Sequence, residues 1–176
     1  MKVVLEDIDM QYDEQALKVI SQAAAGGMRD ALSLLDQVVS FSDETLRVED
    51  ALLVTGSVSE DVFYDITQNL LNKDVAAVLS LMEQLIADGK EPIRLAEDFI
   101  TFFRDLLLLQ ADGDLSELLQ LINPSEQFLA LAQQIPAERL YEFIDILAIK
   151  IVQNYKKHNE NRRTNLHFYN LFSRLL

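Results

Sequence analysis

The residue whose type and setting could do chemistry in this sequence is Arg29. It follows the pair Gly26–Gly27 and falls in the first turn of a helix that the spacing predicts to begin there. A helix N-terminus already attracts anions, so a guanidinium at that place opposes the dipole unless an anion sits across from it. Guanidinium is also the side chain suited to bidentate contact with phosphate. Two readings stay open on spacing alone: a phosphate contact, or a pair with a nearby acid such as Asp30 or Asp36. Ahead of the glycines, Ala23–Ala25 would let two backbones approach closely.

Other chemistries find no support in the residue pattern. No Gly-x-x-x-x-Gly-Lys-Ser/Thr loop is present to cradle phosphates, and no Gly-x-Gly-x-x-Gly turn or Gly-x-Ser-x-Gly elbow occurs. His158 and His167 lie nine apart, with no acidic or histidine partner at i+3 or i+4, so they read as ordinary surface or interface histidines and not as metal ligands. Cysteine is absent, which rules out disulfides, thiol catalysis and cysteine-based zinc sites, and suits a reducing cytoplasm. The acidic pairs Glu6/Asp7, Asp13/Glu14, Glu49/Asp50 and Glu60/Asp61 are expected at helix beginnings, where negative charge offsets the dipole. No catalytic residue and no metal site are expected in these residues.

The elements that must position Arg29 are helical. The chain has 176 residues, 49% of them hydrophobic, with only 5 Gly and 3 Pro. That is enough apolar material for a core, and punctuation that sparse favours long helices. An all-α fold is therefore expected. The formal net charge is -14, a poor basis for gripping a polyanion such as duplex DNA. Residues 150–176 depart from this balance, with six basic residues against Glu160. That end reads as a solvated basic helix end or a basic face meeting an acidic neighbour. No signal-peptide core forms at the start, and no apolar run approaches the length of a membrane span.

Apolar spacing predicts a helix from Asp13 that ends at Gly26–Gly27, a second to about Phe41 and a short third over Val48–Val54. Beyond Thr55–Gly56–Ser57 it predicts helices over Glu60–Leu71, on to Gly89, from Pro92 to Leu109, over Asp114–Ile122 and Pro124–Gln134, from Pro136 to Tyr155, and over Arg162–Leu176. Ser57 and Glu60 have capping-box spacing. The aromatic stripe Phe99, Phe102, Phe103 reads as core. The boundary at Gly56 divides a three-helix unit, 1–56, from a longer bundle, 57–176.

The segment Gly27-Met28-Arg29-Asp30-Ala31-Leu32-Ser33-Leu34-Leu35-Asp36-Gln37 resembles the sensor 2 motif of clamp-loader ATPases of the AAA+ superfamily, in the form found in the gamma/tau subunit of the bacterial DNA polymerase III clamp loader. Tyr12–Leu17 and Asp50–Gly56 resemble the flanks of that family's lid, and Asp88–Pro92 with Phe102–Leu107 resembles its collar. The segment Asn165–Asn170 departs from the family, which usually places a Glu there, so no role is carried onto it.

The resemblance implies a three-helix AAA+ lid over 1–56 and a helical collar for oligomerisation over 57–176. It implies that Arg29 reports on nucleotide phosphates, with Gly26, Gly27 and Asp30 supporting the motif. It further implies that Met1 is an internal start. The phosphate loop, Walker B acid, zinc module, sensor 1 and arginine finger would then lie upstream, and the extensions that bind helicase and polymerase downstream. ATP, magnesium and a structural zinc would belong to the full subunit, with no cofactor held in these residues and no hydrolysis expected from them alone. The implied partners are other gamma/tau copies, delta and delta prime through the collar, and the sliding clamp and primed DNA through the whole complex. The alternatives are the lid and C-terminal helices of another AAA+ ATPase, or a freestanding acidic helical adaptor.

Overall fold

A computed structural model describes residues 1–24, 26–111, 115–121 and 123–158. The all-α expectation holds: among the described residues there are nine α-helices, one 3-10 turn and one pair of two-residue strands. The helix expected over Arg162–Leu176 and the departing segment Asn165–Asn170 lie outside the described residues. The chain divides into two compact units, Met1–Ser59 and Glu60–Leu176.

The first unit runs α1 (Lys2–Asp7), β1 (Gln11–Tyr12), α2 (Glu14–Ala23), α3 (Met28–Phe41), β2 (Thr45–Leu46) and α4 (Val48–Thr55). Its core joins Leu5, Ala16, Leu17, Ile20, Leu35, Val38, Leu46 and Ala51, so the four helices and β2 contribute to one apolar cluster, against which Tyr12 of β1 packs. Small Ala16 and Ala51 let α2 and α4 pack closely. Asp13 caps α2, its Oδ1 accepting from the Gln15 amide at 2.8 Å. Asp50 does the same for α4: its Oδ2 accepts from the Arg47 amide at 3.3 Å and from the Ser42 hydroxyl at 2.8 Å. Gly56, at φ 69°, ends α4 in the left-handed conformation.

Two features differ from expectation. The segment before Asp13 forms α1, and Glu6 and Asp7 therefore stand in its last turn, the end of the helix dipole that disfavours acids. The strands pair in parallel, Gln11 with Thr45 and Tyr12 with Leu46, tying the entry to α2 to the entry to α4.

The second unit runs α5 (Glu60–Leu71), α6 (Val75–Ala87), α7 (Pro92–Gln110), a 3-10 turn (Ser116–Leu118), α8 (Glu126–Gln134) and α9 (Ala137–His158). The helix α5 starts at Glu60, the last residue of the expected capping-box spacing. Pro92 stands in the first turn of α7, where its missing N–H costs nothing. The aromatic stripe of α7 is core, as expected. Phe63, Phe99, Phe102, Phe103, Phe128 and Phe143 are all fully buried, with ring centroids 4.7 Å apart for Phe63–Phe99 and 5.1 Å for Phe103–Phe143.

Between α7 and α8 the chain is held by side chains of α7. Asp105 is fully buried, and its Oδ2 accepts from the amides of Gln120 at 2.9 Å and Leu121 at 2.7 Å. The Arg104 guanidinium donates to the Leu118 carbonyl at 3.2 Å and lies 3.5 Å from Asp105 Oδ1. The Gln110 amide donates to the carbonyls of Ala132 and Ile135, closing the C-terminal end of α8. A regular helix expected over Asp114–Ile122 is thus reduced, within the described residues, to the single turn Ser116–Leu118. The amides of residues 120 and 121, which would propagate it, bond to Asp105 instead.

Candidate functional site

The connection from α2 to α3 is built from local conformational demands. The Ala24 amide still bonds back to Ile20 O at 3.1 Å, and the Gly27 amide to Ala24 O at 2.9 Å. Gly26 then turns the chain at φ +83°, a conformation that costs a side-chain-bearing residue dearly. Gly27 is different. Its φ of -76° is open to any residue, but a Cβ there would lie 2.8 Å from Asp30 Oδ2 and 3.3 Å from Ala24 O. The Asp30 carboxylate therefore sits over the α carbon of the N-cap residue, in the first turn of α3, where its charge offsets the dipole.

Arg29 is the second residue of α3 and is exposed. Among the described residues no ion pair joins it to Asp30, to Asp36 or to any other acid. Of the two readings open on spacing, the internal pair is the one the structure does not form. The next turn of α3 anchors the arrangement, since Ala31 and Leu35 are buried while Arg29 faces outward. A guanidinium held on a packed helix, free of internal acids and beside a helix N-terminus, can meet an anion at little reorganisation cost.

His158 ends α9 and His167 lies outside the described residues. Among the described residues no three His, Cys, Asp or Glu side chains gather as a metal site. An open groove of about 840 Å³ is lined by Phe41, Ser42, Asp43, Glu44, Thr45, Arg47 and Asp50, at the end of α3 away from Arg29. Sequence reading passed over the buried Asp105 and the half-buried Gln110. The one available signal for Asp105 was an acid on the same helical stripe as Phe102 and Phe99.

Two family descriptions match the chain. Residues 1–44 match the family described as DNA polymerase III clamp loader subunit, ATPase lid domain. Residues 46–157 match DNA polymerase III subunits gamma and tau, domain III. The chain belongs to the DNA polymerase III gamma/tau family. Among gamma/tau relatives, the DNA polymerase III subunit tau of Bacillus subtilis is 43% identical over 165 residues, which is 94% of this chain and 28% of that protein. The gamma/tau subunit of Mycobacterium tuberculosis is 30% identical over 63% of this chain and 19% of its own length. Subunit tau of Escherichia coli is 22% identical over 61% and 17%. The chain thus spans less than a third of the gamma/tau relatives it matches. Among the described residues no helix is long and apolar enough to cross a membrane.

Proposed function

We propose that this chain supplies the nucleotide-sensing lid and the assembly collar of a clamp-loader subunit, with Arg29 as the sensor. The observation that carries the proposal is the setting of Arg29: exposed, in the first turn of α3, and without an internal ion pair among the described residues. A bound nucleotide's terminal phosphates would supply the missing anion, and the packing of α3 would convert that contact into an angle of the whole lid. Gly26 sets the turn, Gly27 leaves room for the Asp30 carboxylate, and Asp30 offsets the dipole that Arg29 opposes.

On this reading residues 1–56 are the lid and 57–176 the collar, which binds other gamma/tau copies, delta and delta prime side by side. ATP and its magnesium would be held chiefly by the ATPase body of the full subunit, and a structural zinc by a module outside these residues. The described residues contribute one phosphate-facing guanidinium and no metal ligand set. The whole assembly, in the cytoplasm, would use ATP to open the sliding clamp and load it on primed DNA. Family membership favours this over another AAA+ ATPase or a freestanding adaptor.

The test is Arg29→Ala in the full-length subunit. ATP-dependent clamp loading is expected to fall at least tenfold while the subunits still assemble, the loss expected of a charged phosphate contact. Wild-type loading and ATPase rates in that variant would refute the sensor assignment.

A further inference from the structure

The sequence holds two Asp-Gly pairs, Asp88–Gly89 and Asp112–Gly113, and the first lies among the described residues. In such a pair the aspartate carboxyl can close a five-membered ring on the next main-chain nitrogen, because glycine has no side chain to block the approach. Asp88 is the C-cap of α6, Gly89 follows it at φ +84°, and both are exposed. A Cβ at Gly89 would meet nothing within 4 Å, so no neighbouring atom crowds that side of the pair. Hydrogen bonds and a backbone angle restrain it instead. The Gly89 amide donates to Ile86 O at 3.0 Å and the Lys90 amide to Leu85 O at 3.0 Å, the two bonds that close a helix end around a left-handed glycine. The first engages the nitrogen that would attack. At Asp88 ψ is 6°, so the Gly89 nitrogen eclipses the nitrogen of Asp88. Ring closure needs it to eclipse Cβ, and rotation to that angle swings the Gly89 amide away from Ile86 O.

We propose that Asp88–Gly89 is a latent site of isoaspartate formation, held silent by the C-terminal turn of α6. When the turn opens, the Gly89 nitrogen attacks Cγ of Asp88, and the amide proton leaves with the carboxyl hydroxyl as water. The cyclic imide then takes up one water. Attack of that water at the side-chain carbonyl restores aspartate. Attack at the main-chain carbonyl leaves the chain running through Cγ, one carbon longer, with a free α-carboxylate. Water is the only co-reactant, and no oxidation state changes. The lengthened link carries the Gly89 amide away from Ile86 O, so the turn between α6 and α7 cannot close as before. Each conversion is thus a covalent record of an opening.

The experiment incubates the full-length subunit near neutral pH, folded and in unfolding urea, and digests samples over time. Chromatography separates the peptide carrying Asp88 from its isoaspartate form, and both from the peptide carrying Asp112. Isoaspartate at 88 is expected to accumulate at least about tenfold more slowly in the folded subunit, the scale of two ordinary backbone hydrogen bonds. Lys90→Pro removes the donor to Leu85 O and is expected to bring the folded rate toward the unfolded one. If circular dichroism shows that this variant does not fold, urea concentrations below the unfolding transition take its place. Isoaspartate formation at 88 and hydrogen exchange of the Gly89 and Lys90 amides are then expected to rise together. Equal rates in the folded and unfolded subunit overturn the lock, and no product from the unfolded chain overturns the site. A folded Lys90→Pro variant that converts as slowly as wild type overturns the assignment of the turn as the restraint, as does exchange that quickens without product.

Discussion

Replacing Asp105 by alanine tests whether the connection between α7 and α8 owes its shape to one buried carboxylate. Two backbone amides, Gln120 at 2.9 Å and Leu121 at 2.7 Å, donate to its Oδ2, and the side chain is fully buried. Hydrogen bonds to a charged group contribute about 1.5–3 kcal/mol each, so the upper limit for the pair is about 6 kcal/mol. Three effects lower that figure. Gln120 is exposed and Leu121 half-buried, so the freed amides can turn toward water. The loop regains conformational entropy when it is released. The Arg104 side chain is 41% exposed and loses little when its partner goes. A loss of about 2–4 kcal/mol in the unfolding free energy of the second unit follows. Urea denaturation followed by circular dichroism measures it, and amide hydrogen exchange locates it at Gln120 and Leu121. Asp105→Asn keeps one acceptor for both amides and should recover about half of the loss. If Asp105→Ala unfolds within about 1 kcal/mol of wild type, and the two amides stay protected, the carboxylate is not what orders the segment.

Three further outcomes are expected. Asp98, with its side chain 16% exposed, is pushed up to about 6 from the usual 3.8 by burial, with Arg94 opposing the rise and Glu97 adding to it. Its contribution is therefore most favourable below about pH 4 and is lost as pH rises through 6, by at most about 3 kcal/mol. Asp98→Asn should raise the melting temperature at pH 7 and flatten stability between pH 4 and 6.5, and an unchanged pH profile would count against the shift. Gln110→Ala leaves the carbonyls of Ala132 and Ile135 without their side-chain donor and should cost about 1–2 kcal/mol, with exchange quickening at the end of α8. Gly26→Ala meets no atom within 4 Å, so its cost is purely conformational, about 1–2 kcal/mol from the left-handed backbone. Gly26→Asn should cost less, and calorimetry that ranks asparagine as the worse substitution would contradict the conformational argument.

The helices were legible where one face repeats with the helical period. The row Ala16, Leu17, Ile20 on α2 and the row Ala31, Leu35, Val38 on α3 announce themselves because packing and period coincide. In α1 only Leu5 is buried, and one apolar residue makes no period, so the helix was hidden. The strands β1 and β2 were hidden for another reason: two residues pair across more than thirty, a contact no local window contains. The segment from 115 to 121 misled because its leucines have helical spacing, yet its amides bond to Asp105 on another element. At the candidate site, the position of Arg29 on α3 followed from the local Gly–Gly turn. Whether it paired with Asp30 or Asp36 depended on side-chain directions, which spacing does not fix.

Arg104, Asp105 and Gln110 of α7 reach main-chain atoms of the chain that follows: the Leu118 carbonyl, the amides of Gln120 and Leu121, and the carbonyls of Ala132 and Ile135. These hydrogen bonds hold the path of the chain without reading the segment's outward side chains, while Leu119 is buried in the core. The outward residues are free to diverge among relatives, or to be rewritten by design, while the path of the chain persists. Proline at 120 or 121 is the exception, because it removes the very donor that Asp105 holds.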